Sequence, residues 1–178
     1  MKTERVATGR TRRRGQTMTE FAIAVPILFL LILGVVDGGL LMFSVGNARY
    51  AAGEGSRVAA QLGNASTTDQ QVLQTIEKTV GQTSLYNVNE IDIYKLNQDG
   101  NGNLTPDLTL YNRYRADGSP MLSPEPWAAS SRNVGNGTSD FLGVTINFTY
   151  NWKAGLFSAL GPVTTNATYY VRLEPQSF

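Results

Sequence analysis

Chemistry in this 178-residue chain is best sought where carboxylates and amides cluster, because the sequence has neither cysteine nor histidine. Two places stand out. Glu20 is a lone acid at the lip of an apolar run, four residues after Gln16. Residues i and i+4 of a helix share a face, and a carboxylate in the first helical turn is favoured by the macrodipole. Carried into a bilayer, such a charge costs on the order of 2.5–3.5 kcal/mol. Glu20 therefore wants a positive partner, with plain wetting at the headgroups as the simpler alternative. The second place is the turn Asp99-Gly100-Asn101-Gly102-Asn103, which continues to Thr105 and Asp107. Oxygen donors at alternate positions suit calcium, which makes Asp99, Asn101, Asn103 and Asp107 candidate ligands. Against the EF-hand spacing, however, the sixth and twelfth positions are Leu104 and Leu110 rather than glycine and glutamate. A hairpin turn explains these residues better, and no metal is assigned.

Much else is excluded. Without cysteine or histidine there are no disulfides, no thiolate chemistry, no Cys/His zinc site and no Ser-His-Asp triad. Neither GxGxxG nor GxxxxGK[ST] occurs, and the remaining acids are scattered without an acid–base pair. The expectation is a non-enzyme with no cofactor. Net charge is +1, but residues 1–15 hold six basic side chains against Glu4, and the remainder holds nine basic against thirteen acidic. A basic head on a mildly acidic body argues against nucleic-acid binding, which needs its positive charge on the folded part.

The elements that position these groups begin with a long apolar helix. Phe21 to Val36 carries no charge, Asp37 interrupts, and uncharged sequence resumes to Ala48. Sixteen helical residues cover about 24 Å, and a hydrocarbon core of about 30 Å takes about 20, so the run spans a bilayer if the helix continues past Gly38. The run is longer than a secretory h-region and no A-x-A site follows closely; TRRR lacks the hydrophobic residues of a twin-arginine signal. Basic residues before a span stay cytoplasmic, which places everything after Ala48 outside. Pro26 removes one helix hydrogen bond and can kink the span. Gly34 and Gly38 form a small-xxx-small pair that permits close helix approach. Asp37 lies about 25 Å beyond Glu20 along the helix, near the outer interface, where it reaches water or a partner helix.

Beyond the span, Ala48, Ala51, Ala52, Val58, Ala59 and Leu62 form an apolar seam that carries the helix to Leu62. A Ser/Thr/Asp cluster then starts a second helix over 68–80. NEIDIYKLN and LTLYNRY read as strands around the Asp99 turn. A long loop at 115–140 is pinned by Trp127, and two closing strands carry Val144, Ile146, Phe148 and Tyr150, then Tyr169, Val171 and Leu173.

RGQTMTEFAIAVPILFLLILGVVDGGLLMF followed by NARYAAGEGSRVAA resembles the TadE-like pseudopilins of tight-adherence (Tad, type IV-like) pilus systems. Gly53-Glu54-Gly55-Ser56-Arg57 departs from the family's Arg-Glu-Gly-Ala-Arg, and Asp37 stands where Glu is commoner. GVTINFTYNW and ATYYVRLEP resemble the family's closing strands. The resemblance implies a class III signal cut by a prepilin peptidase between Gly15 and Gln16. Glu20 then becomes the fifth mature residue, followed by Phe21, and can pair with the new Gln16 ammonium of the same chain or a neighbour, setting register during assembly. It implies an α+β fold: a long N-terminal transmembrane helix continuing into a small pilin-like domain with a second helix and an antiparallel sheet of about four strands. The expected organisation is a basic cytoplasmic leader over 1–15 that is removed, a transmembrane and assembly helix over 16–46, and an extracytoplasmic domain over 47–178. Implied partners are the peptidase, other pseudopilins, the major pilin, the inner-membrane assembly platform with its ATPase, and the lipid bilayer. The implied location is the bacterial inner membrane, with incorporation into a surface pilus and a link to cell adhesion. The alternative is an unprocessed single-pass module that binds a surface ligand.

Overall fold

The computed structural model describes residues 12–81, 84–135, 137–155 and 157–174, with side chains from residue 16 onward; most of the basic leader lies outside them. Helix α1 runs Arg12–Leu62, 51 residues with Pro26 inside it, about 76 Å long. Its two halves have different surroundings. Residues 16–32 are exposed apart from half-buried Val25, as an apolar helix meant for lipid would be. From Asp37 onward one stripe is buried: Asp37, Ser44, Ala48, Ala51, Ala52, Ser56 and Ala59 are each fully covered. The stripe consists of small side chains, so α1 lies close against what covers it. Val58 and Leu62, expected in the same seam, are only half-buried at its margin.

That cover is a four-stranded antiparallel sheet in the order β2-β1-β3-β4. β1 is Tyr86–Gln98, β2 Leu104–Arg115, β3 Phe141–Tyr150 and β4 Val163–Arg172. β3 alternates cleanly. Leu142, Val144, Ile146, Phe148 and Tyr150 are all fully buried toward α1, whereas Thr145, Asn147 and Thr149 face outward with Tyr94, Glu90 and Asn89 as partners. Burying one large apolar side chain contributes about 1.5–3 kcal/mol, so this strand anchors the core. β1 does not alternate simply. Its register against β3 shifts between Val88 and Glu90. The extra residue, Asn89, lets Tyr86 and Val88 face the core before it and Ile91 and Ile93 after it. Without the bulge one of these pairs would point into solvent, because a one-residue slip reverses the faces. In β4, Tyr169 and Val171 are less buried than their alternation suggests: Ala167 and Leu173 fill the core, and the Tyr169 ring lies against Gly53 of α1.

Helix α2, Thr68–Val80, buries Val72, Leu73 and Ile76. The cap-like residues before it do other work. Thr67 makes no side-chain cap bond to the backbone, and Thr68 turns inward to donate to the Gly63 carbonyl at 3.4 Å. Asp69 also turns inward and holds the long loop in place. It is paired with Arg132 at 2.6 Å and accepts from Asn112 at 2.9 Å and the Tyr114 hydroxyl at 2.8 Å. Asn112 binds the backbone of Trp127 in both directions, and the Arg132 guanidinium stacks over the Trp127 ring at 4.5 Å. Burial and the adjacent Asp69 charge push the Tyr114 pKa far up, so its hydroxyl remains a donor.

Gly55 sits where α1 crosses α2. A Cβ there would lie 2.9 Å from Ile76 Cγ1 and 3.3 Å from Val72 Cγ1, both on fully covered side chains. Gly46 faces open space. Gly55→Ala should therefore destabilise the domain by about 1–2 kcal/mol of overpacking net of its helix-propensity gain. Gly46→Ala should stabilise it by up to about 1 kcal/mol. Thermal unfolding of both variants in detergent checks the opposite signs.

Candidate processing and assembly segment

The first turns of α1 bring Gln16 and Glu20 together. The Gln16 amide Nε2 donates to Glu20 Oε1 at 3.1 Å, and both are exposed. Positions 16 and 20 thus meet side chain to side chain along the helix surface. Phe21 follows, 70 % exposed. Pro26 is accommodated within the continuous helix.

Gly34 and Gly38 part company. A Cβ on Gly34 would meet the Phe157 ring at 3.5 Å, whereas Gly38 and Gly39 face nothing within 4 Å. The Gly34 side of the pair is therefore occupied by this chain's own domain, and only the Gly38 side is open. Asp37 departs further from expectation. It is fully buried rather than in reach of water. The loop between β3 and β4 folds down over it, and Asp37 Oδ1 accepts the backbone N–H groups of Lys153 at 3.0 Å and Ala154 at 3.1 Å. Oδ2 has no partner among the described residues. Tyr150, at the end of β3, donates to the Asp37 carbonyl over a long 3.4 Å; burial and the Asp37 charge raise its pKa. The β3–β4 loop thus meets α1 at Gly34 and Asp37. No pattern around Lys153 and Ala154 announces this, because the contact uses main-chain amides. Gly155, at φ 73°, is the only local sign of the reversal that presents them.

The turn at Asp99 is self-contained. Asp99 accepts the backbone N–H groups of Asn101 and Asn103, each at 2.8 Å, and the Asn103 amide at 2.9 Å. Asp107 sits in a second irregularity, where β2 slips against β1 between Tyr94 and Leu96. It accepts from Thr109 N and Oγ1 and from Asn97. Their lone pairs already serve the hairpin, and among the described residues no cluster of three or more acids could hold a metal.

Residues 15–57 match the family of TadE-like proteins. This N-terminal segment is TadE-like. The match begins at Gly15, runs through Glu20, Pro26 and Asp37, and stops at Arg57 inside the α1 seam. No curated protein and no solved structure matches the chain. The matched segment is similar to TadE-like proteins, and it lies on an exposed apolar helix that is long enough to cross a membrane.

Two outcomes test these local readings. Asp37→Ala leaves the Lys153 and Ala154 amides without their acceptor, at about 1–2 kcal/mol. Hydrogen exchange at those two amides should accelerate about tenfold or more, since about 1.4 kcal/mol is tenfold, while exchange at Ile146 in β3 stays unchanged. For the hairpin, hydrogen bonds from Thr109 and Asn97 lower the Asp107 pKa to about 2. A depressed folded-state pKa means that the contribution to stability is present above the ordinary carboxylate range and lost as pH falls through about 2. The Asp107 carboxyl should titrate there by NMR, and a midpoint near the free value would show that the bonds do not hold in solution.

Proposed function

We propose that this protein is a minor, TadE-like pseudopilin that takes part in assembling a Tad-type pilus and is cut by a prepilin peptidase between Gly15 and Gln16. The observation that carries the reading is the match over residues 15–57, which starts at the proposed cleavage site. The Gln16–Glu20 contact at 3.1 Å supports it. Cleavage removes the basic leader and turns Gln16 into an N-terminus, whose ammonium lies one helical turn from the Glu20 carboxylate. The charge that looked costly at the lip of the apolar run then has a counter-charge, in its own chain or in a neighbour during assembly. The cut falls in the first turn of α1, where backbone N–H groups lack intrahelical partners, so little helix is lost.

In this role the chain is a structural component and an enzyme's substrate rather than an enzyme. Its helix sits in the inner membrane with the α+β domain outside, and it meets other pseudopilins, the major pilin and the assembly platform through α1. Intact mass of the membrane-extracted protein tests the first step. With the peptidase present the mass should equal residues 16–178, and a full-length mass would refute processing. Glu20→Ala should be cut normally yet lower pilus assembly at least tenfold, measured as shed or surface filament. Wild-type piliation in that variant would rule out a register role for the carboxylate.

A further inference from the structure

We propose that the loop between β3 and β4 is a lipid anchor: its tip, at Phe157 and Leu160, enters the bilayer interface beside the point where α1 emerges. This rests on the reading of α1 as a membrane span and adds a second membrane contact, made by the globular domain.

The first observation is a length. The domain first meets α1 at Gly34, against the Phe157 ring. The bare helix from Gln16 to residue 32 is 17 residues, about 26 Å, and its uncharged part from Phe21 is only about 18 Å. A hydrocarbon core is about 30 Å thick. Tilting the helix shortens its reach further. Whatever fills the remaining depth on the domain side must be the part of the domain that surrounds residues 33–37. That part is this loop, through Phe157 on Gly34 and the Lys153 and Ala154 amides on Asp37.

The second observation is the loop's own chemistry. Leu160 is 75 % exposed at its tip. Behind it an aromatic column runs from the core to α1: Tyr150 meets Trp152 edge-on at 5.7 Å, and Trp152 meets Phe157 at 5.2 Å. Several of the polar groups that would resist lipid are paired inside the loop. Trp152 Nε1 donates to the Gly161 carbonyl at 2.8 Å, and the Ser158 hydroxyl to the Gly155 carbonyl at 2.6 Å. The backbone N–H groups of Leu160 and Gly161 donate to Phe157 and Ser158. Internal satisfaction of the backbone is what irregular structure needs at membrane depth, and a tryptophan and a lysine at this level suit the headgroup boundary.

The chain has no cysteine, so a single introduced thiol is unique. Leu160→Cys, Leu28→Cys and Leu108→Cys each replace an exposed leucine. Each is labelled with a nitroxide in the full chain, reconstituted at low density in phosphatidylcholine vesicles, and read by power-saturation EPR with oxygen and a water-soluble nickel chelate. The expected oxygen-to-nickel collision ratio at Leu160 is several-fold above that at Leu108, with Leu28 higher still. A water-like Leu160 beside a lipid-like Leu28 overturns the anchor while leaving the span intact, and would mean that the bilayer thins instead. Water-like behaviour at all three sites removes the span and the anchor together. A Leu160 label shielded from both reagents would mean that protein covers the tip, which also overturns it.

Discussion

The seam of small residues on α1 is the contact on which the rest of the domain depends. Ala48, Ala51, Ala52, Gly55, Ser56 and Ala59 bury little apolar area themselves. What they provide is closeness. With no long side chains between them, the helix lets Leu142, Val144, Ile146 and Phe148 of β3 be fully buried, each contributing about 1.5–3 kcal/mol of hydrophobic stabilisation. Gly55 extends the same logic to α2, where Ile76 occupies the space that a methyl would need.

A seam of this kind also fixes where the domain stops. One continuous helix has to serve lipid along its first half and a sheet along its second, with no hinge between them. The transition is made by side chains rather than by a break in α1. Gly34 admits the Phe157 ring, and Asp37 caps the loop that carries it. A carboxylate at this level would be expensive alone. Capping two backbone amides offsets part of that cost and holds the loop at one height on the helix.

Elements with strong periodicity could be read from the sequence: the apolar run, the alanine seam, α2 and the alternation of β3. Each is a local pattern repeated often enough to dominate other preferences. The features that escaped depend on pairing across long sequence separations. The bulge at Asn89 exists because β1 must match β3 on two sides of a slip, which the strand's own residues do not reveal. Asp69 looked like a helix cap because it stands in a cluster of cap-type residues, but Arg132, 63 positions away, draws it inward. Asp37 looked like an interfacial acid because helix geometry alone gave its height and not its cover. The contact of Gln16 with Glu20 is local, since the two are four apart on one helix and need nothing distant to meet.

The two acids of the TadE-like helix consequently stand in opposite situations. Asp37 is committed to its own chain. Its Oδ1 caps two backbone amides of the β3–β4 loop, and the side chain is fully buried. Glu20 is exposed, and in the full chain its one described partner is a neutral amide on the preceding turn. A neutral amide satisfies a carboxylate lone pair without neutralising its charge. Among the described residues no cation pairs with Glu20. Processing at Gly15–Gln16 would supply one on every copy of the chain. In the proposed assembly role Glu20 is the exposed acid that a neighbouring ammonium would pair, whereas Asp37 already caps the β3–β4 loop of its own chain.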